Sequence, residues 1–312
     1  MNDIPFVKEI DFEYGVADQL SPLIRRVIAN NPGPFTFTGT GTYIVGAAEG
    51  GESVAVIDPG PDLPAHFDAL EAAINGARVS HILITHTHGD HCGGARAFAD
   101  RVGAPIYAYG AHPIADAEND APALDEGGDY GFRADETLAD GDTVTASSAT
   151  SDGGWTLQAV HTPGHLSNHL CFALQEENAL FSGDHVMGWA TSVVAPPDGN
   201  MAAYLKSLDK LLERTDARYY PTHGAPINQP QRFVRAVKAH RLIRDGQIIE
   251  QLKAGRTQIK DMVPTIYAGV DPRLHGAAAL NVLAHLIRLV EIGSVKVDGP
   301  AQLDAVFEFN AS

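Results

Sequence analysis

Apolar residues in this chain fall into short runs, and the period of those runs switches repeatedly between strand-like and helix-like spacing. Thr36 to Val45 and Val54 to Ile57 predict a hairpin around Glu49-Gly50-Gly51-Glu52, and Asp58-Pro59-Gly60 ends its second strand. Pro64 to Ile74 sets Phe67, Leu70 and Ile74 on one helical face. His81 to Ile84 reads as a buried strand, Gly93 to Val102 as a helix and Ala104 to Ala108 as a further short strand. Thr143 to Ala149 and Trp155 to His161 flank Ser151-Asp152-Gly153-Gly154, a second hairpin signal. Leu170 to Leu174 and Asn178 to Phe181 pair across another polar turn. Met201 to Glu213 is helical, with Tyr204, Leu205, Leu208 and Leu211 or Leu212 apolar. Strands interrupted by helices, in two successive halves, fit two sheets between helical layers. Periodicity alone does not choose that architecture over other α/β folds.

The texture changes at Gln231. Arg232 to Ala254 reads as one long helix with Phe233, Ala236, Val237, His240 and Ile243 on a face. Ile259 to Tyr267 and Ala277 to Ile292 are further helices, and Ser294 to Val297 and Ala305 to Phe309 have strand character. Three helices followed by a short hairpin resemble a winged-helix module, which divides the chain at 1–230 and 231–312. Nucleic-acid binding is one reading of the second part; a structural cap or homodimer contact is the favoured one. The presumed reading helix offers only Asn281, His285 and Arg288 on its polar face, a poor set for base or phosphate contacts. Arg235, Lys238 and Arg241 share one side of the first helix and read as a solvated charged face.

Composition sharpens the picture. A chain of 312 residues with 44% apolar content can bury a large core. No apolar run approaches a bilayer span, and Met1 to Gly15 lacks the basic-then-apolar order of a secretory signal. Cys92 and Cys171 are the only cysteines, which fits a reducing, cytoplasmic setting. The net charge of −17 disfavours diffuse binding to RNA or DNA. The first 231 residues carry −20, more than the whole, because eleven Lys and Arg face eight Asp and Glu beyond them.

The candidate chemistry sits directly after the His81–Ile84 run, in Thr85-His86-Thr87-His88-Gly89-Asp90-His91. Three imidazoles and a carboxylate within six positions exceed what a polar loop needs. His86 and His88 project the same way while the chain is extended, and Asp90 and His91, past the glycine, face a second point nearby. That suits two metal ions rather than one. Cys92 follows but reads as packing near the site.

His-x-His-x-Asp-His resembles the defining motif of the metallo-β-lactamase superfamily. The resemblance implies a four-layer αββα sandwich and supplies the remaining ligands one by one. His165 in His161-Thr162-Pro163-Gly164-His165 resembles the third histidine of the first ion, Asp184 in Phe181-Ser182-Gly183-Asp184 the bridging carboxylate, and His223 in Tyr220-Pro221-Thr222-His223-Gly224 the last ligand of the second ion. His86, His88 and His165 are thus assigned to one ion, Asp90, His91 and His223 to the other, and Asp184 to both. Asn31-Pro32-Gly33-Pro34, Thr40 to Val45, these motifs and the tail after His223 look like the β-lactamase-like protein 2 group. That group adds a small, mainly helical, winged-helix-like domain, and includes endoribonucleases of single-stranded RNA and thioesterases that release polyketides from carrier proteins. Gly41, Leu166 and Thr222 depart from its usual residues.

Nitrogen and oxygen donors without thiolate suit two zinc ions, with manganese or iron as alternatives. A hydroxide bridging the ions is expected to attack an ester or thioester carbonyl, with Asp90 orienting the water and taking its proton. Asp58 is expected to hold a ligand imidazole. A bridging Asp184 argues against a true β-lactamase. Charge places acyl-thioester or other small-molecule cleavage ahead of RNA cleavage by the same centre. A non-catalytic nucleic-acid-binding regulator and a di-iron redox protein are the remaining readings. His161, His169 and His185 read as packing or supporting histidines, and His66, His81, His112, His240, His275 and His285 have no motif. The acidic, glycine-rich stretch Ala111 to Asp142 is either a loop over the pocket or a solvated one.

Overall fold

A computed structural model describes residues 4–47, 53–112, 127–146 and 154–311. The turn expected at Glu49–Glu52, most of the turn at Ser151–Gly154, the end of the strand at Thr143–Ala149 and the middle of the acidic stretch lie outside the described residues.

Within them, one sheet carries β1 (Ala17–Gln19), β2 (Ile24–Ile28), β3 (Gly41–Val45), β4 (Ser53–Ile57), β5 (Arg78–Leu83), β6 (Ile106–Ala108) and β7 (Glu136–Thr137) in chain order. The first four strands are antiparallel and the last four parallel, so the sheet is mixed. A second sheet holds β8 (Thr143–Ala146), β9 (Trp155–His161), β10 (Leu170–Leu174), β11 (Ala179–Gly183) and β12 (Arg218–Pro221). Its last pair alone is parallel. The helices are α1 (Pro64–Ile74), α2 (Gly89–Cys92), α3 (Ala95–Val102), α4 (Met201–Leu212), α5 (Pro230–Lys253), α6 (Ile259–Ile266) and α7 (His275–Glu291), followed by the hairpin β13 (Val295–Val297) and β14 (Phe307–Phe309). No helix among the described residues is long and apolar enough to cross a membrane.

Alternation along each strand builds the four layers. Tyr43, Val45, Ala55, Ile57 and Leu83 of the first sheet meet Trp155, Leu157, Phe172 and Phe181 of the second in a core between the sheets. Their strand neighbours Ile44, Val54, Val56 and Ile82 point the other way, onto Phe67, Leu70 and Ile74 of α1 and Phe98 of α3. Cys171, Ala173 and Leu180 leave the second sheet to meet Tyr204, Leu208 and Leu211 of α4 and Val234 and Val237 of α5. A separate core, from Ile248 to Phe307, holds the end of α5, α6, α7 and the terminal hairpin. The two halves of α5 thus serve two different cores.

Three expectations change. Thr36 to Thr40 is not strand: Asn31 Oδ1 accepts from the Thr40 amide at 2.9 Å, Asn31 O accepts from Thr36 Oγ1 at 2.7 Å, and Phe37 adopts φ 59°. Those bonds compete with the sheet ladder, so β3 starts at Gly41. Ile243 on α5 is 50% exposed, whereas Arg241 is buried at 1%, the reverse of the expected faces. Asn281 and His285 on α7 are also buried, and Arg288 pairs with Asp245 at 2.6 Å. The face expected to read nucleic acid is therefore turned inward, where Asp245 on α5 partners His285 and Arg288, and Arg241 and Tyr267 partner Asn281.

Candidate metal centre

All seven predicted side chains come together at one end of the sandwich. β5 ends at Leu83, and the chain leaves it extended, with His88 at φ −77° and ψ 146°, before α2 turns at Gly89. That change of direction separates His86 and His88 from Asp90 and His91. His165 follows β9, Asp184 follows β11 and His223 follows β12, all at the same end of the second sheet.

Two groups result. His86 Nε2, His88 Nδ1 and His165 Nε2 form a triangle with sides of 3.0, 3.1 and 3.2 Å. Asp90 Oδ2 lies 3.3 Å from His91 Nε2 and 3.1 Å from His223 Nε2. Asp184 stands between them: Oδ1 is 3.6 Å from both His91 Nε2 and His223 Nε2, and Oδ2 is 4.0 Å from His165 Nε2. His86 also falls within reach of His91 and Asp184, as adjacent ion sites require.

The donor set fits divalent ions. Bonds of 2.0–2.1 Å in a tetrahedron place donors roughly 3.3 Å apart, close to the triangle observed. His91 Nε2 and Asp184 Oδ1 are buried and make no hydrogen bond among the described residues, a costly state for polar atoms unless a cation takes them.

Partners behind the ligands fix which nitrogen faces inward. His165 Nδ1 donates to Val193 O at 2.5 Å, His223 Nδ1 to Gly39 O at 3.2 Å, and His91 Nδ1 to Asp58 Oδ2 at 2.8 Å. Each leaves Nε2 free for the centre. Asp58 is fully buried and also accepts from the Thr85 amide, Thr85 Oγ1 and Thr222 Oγ1 at 2.8, 2.7 and 3.1 Å. The structure therefore sets Asp58 behind His91. Thr40, Thr85 and Thr222 escaped sequence reasoning as site residues, although Thr222 had marked itself as a departure. Thr40 Oγ1 donates to Asp90 Oδ2 at 3.3 Å. His169 Nε2 accepts the Asp184 amide at 3.2 Å and so holds the bridging residue, while His185 packs on Tyr204 with ring centroids 4.5 Å apart. Cys92 is buried beneath the loop, within the core under α3.

Electrostatics differ between the groups. Burial pushes His88 down to about 3 and His86 well below its ordinary value, so these imidazoles are neutral at pH 7. Burial also acts on His91 and His223, but Asp90 and Asp184 outweigh it and raise both. Conversely, His91 and His223 overcome burial and keep the Asp90 and Asp184 carboxyls well below the usual range.

The centre opens into a cavity of about 780 Å³. Asp90, His165, Asp184 and His223 stand at its floor, and Phe35, Leu166, Met187 and Trp189 give it apolar walls. Gly127, Gly128 and Tyr130, from the far side of the acidic stretch, complete one rim. Arg241, Arg244, Tyr267 and Asn281 bring the C-terminal helices into its lining.

Comparison with known proteins agrees with this architecture. The family model described as metallo-beta-lactamase superfamily matches residues 37–223, and that of the beta-lactamase associated winged helix domain matches residues 259–301. The beta-lactamase-like protein 2 homolog of Caenorhabditis elegans is 32% identical over 89% of this chain and 88% of its own. An atrochrysone carboxyl ACP thioesterase of Cryptosporiopsis sp. (strain 8999) is 32% identical over 78% of this chain and 67% of its own. Among solved structures, a metallo-beta-lactamase family protein from Thermus thermophilus superposes with a TM-score of 0.74 at 23% identity, over 93% of this chain and all of the other.

Proposed function

Because the chain belongs to the metallo-β-lactamase superfamily, as a hydrolase of that fold carrying the associated winged-helix domain, we propose that it is a dinuclear metal-dependent thioesterase. The observation that carries the dinuclear part is the station of Asp184 between two separate donor groups. The acyl-thioester part is supported by the fungal ACP thioesterase relative and by the largely apolar cavity above the centre. We divide the chain into a catalytic unit, 1–230, and a C-terminal unit, 231–312, whose helices wall that cavity.

His86, His88 and His165 would hold one ion, Asp90, His91 and His223 the second, and Asp184 both. Zinc fits the donors best. Two such ions would supply a Lewis acid for the carbonyl oxygen and would bring the pKa of water near 7. Asp90, lining the cavity floor, orients that water and takes up its proton. Asp58 keeps the His91 ring in place, and His169 keeps Asp184 in place. The apolar walls hold an acyl chain and exclude bulk water from the thioester carbon.

The experiment is turnover of acyl-thioesters of increasing chain length beside labelled single-stranded RNA. Thioester cleavage abolished in Asp90→Ala is expected. Cleavage of RNA, lost in the same variant while every thioester stays inert, would replace this reading with a phosphodiesterase.

A further inference from the structure

Two guanidinium groups end inside the cavity wall without a carboxylate. Arg241 is buried at 1% and Arg244 at 9%, and neither has an acidic side chain within ion-pair distance among the described residues. Arg241 donates to the Ser192 carbonyl and, at 3.3 Å, to Asn281 Oδ1, and its Nε makes no hydrogen bond. Arg244 donates to the Ile266 carbonyl at 3.1 Å and lies over the Tyr267 ring, 4.1 Å from its centre. His240, one turn away, also lines the cavity, and its Nδ1 is buried without a partner. Asp245, the nearest acid in sequence, faces His285 and Arg288 on α7 instead, at 2.7 and 2.6 Å.

Buried charges are ordinarily paired, and this chain has acidic residues in excess. Arg25 shows the structural alternative: it is buried with carbonyl acceptors only, at Ala73 and Gly46, but it does not line this cavity. Arg241 and Arg244 do line it, and since Arg25 Nε is left without a partner just as Arg241 Nε is, it is that place in the cavity lining which sets the pair apart.

We propose that Arg241 and Arg244 form an anion subsite, which takes a carboxylate or phosphate carried by the substrate at a distance from the bond that is cleaved. The proposal rests on the hydrolase reading for its geometry: Arg241 is tied to Ser192, next to the Val193 carbonyl that holds His165, so the subsite adjoins the ion groups through one loop. The winged-helix unit then reads substrate charge inside the cavity, rather than nucleic acid on its surface. Planar guanidinium forks suit either oxyanion. The anion has two chemical sources, a carboxylate ending the acyl half or a phosphate on the thiol half.

Calorimetric titration of the metal-loaded protein with hexanoate, n-hexyl phosphate and uncharged hexanol tests this without any turnover. At least one anion should bind the wild type tenfold or more tighter than hexanol, and that preference should fall to within threefold in Arg244→Met. Asn281→Asp keeps the side-chain shape and the acceptor for Arg241 but adds a charge that repels anions. It should lose the preference as well, and it serves where the methionine variant does not fold. Which probe is preferred identifies the source. Thioesters of a short thiol with and without a terminal acyl carboxylate, beside the same acyl group on a phosphate-bearing thiol, should rank likewise in kcat/KM. Anion binding that depends on Arg244 while thioesters remain inert would sustain the subsite and sink the thioesterase. Equal affinity for anion and hexanol in the wild type, or a preference unchanged in both variants, would overturn the subsite.

Discussion

At the residue scale, the two ion groups differ in how much they compete with protons. His86 and His88 are driven neutral by burial, so they offer lone pairs well below pH 7. His91 and His223 have raised proton affinity from Asp90 and Asp184, so an ion entering there displaces protons. Protons therefore oppose the second ion more strongly as pH falls, whereas the first is spared until lower pH. Zinc titrations at pH 8.5 and 6.0 should show two tight equivalents at the higher value and one at the lower; loss of both together would refute the asymmetry. Asp58 bears on the same ion. In Asp58→Asn an NH2 group or a weaker acceptor meets His91 Nδ1, Thr85 Oγ1 and Thr222 Oγ1, which all point at one carboxylate oxygen. Affinity for the second equivalent should drop about 10–100-fold, with the first little changed. An unchanged second Kd in competition with a chelating dye would remove Asp58 from the site.

At the element scale, the ligand loops are held by close backbone packing. Gly164 precedes His165 at φ +143°, and a Cβ there would come within 2.3 Å of Tyr204 Cα on α4. Neither backbone can give way easily, so Gly164→Ala should destabilise the protein by about 1–3 kcal/mol and weaken the first ion. Gly103→Ala is the comparison: its φ is +67°, but a Cβ there meets nothing within 4 Å, so only the backbone term of about 1 kcal/mol applies. Equal denaturation midpoints for the two variants would contradict the packing argument. Elements with a clean period were legible in the sequence: α1, α4 and β9 to β11 lie where Phe67, Leu70, Tyr204, Leu208 and the alternating strand residues put them. β2 was not, because Arg25 and Arg26 interrupt its apolar pattern. Both are buried, Arg25 on backbone carbonyls and Arg26 on Asp18 and the Gly224 carbonyl. Arg241 failed for the same reason, since patterns of helical charge assume that a guanidinium seeks solvent. The seven clustered side chains were readable because the superfamily motifs name them one at a time. Their supporting threonines were not, because a hydroxyl bonded to a buried carboxylate leaves no spacing signature.

At the scale of the molecule, one cavity joins both parts of the chain. The sandwich contributes the ion groups at the ends of its strands, and α5 and α7 add buried polar residues to the lining. This explains why the C-terminal helices carry buried Asn281 and Arg241, and why a chain of charge −17 keeps two guanidiniums inside. The central claim is that His86, His88, Asp90, His91, His165, Asp184 and His223 hold two ions in separate but bridged groups. Elemental analysis of zinc-loaded protein, after dialysis at pH 8.5, tests it most directly. Two equivalents per chain are predicted for the wild type and one each for His88→Ala and His223→Ala. Fewer than one equivalent in the wild type, or two retained by both variants, would contradict it.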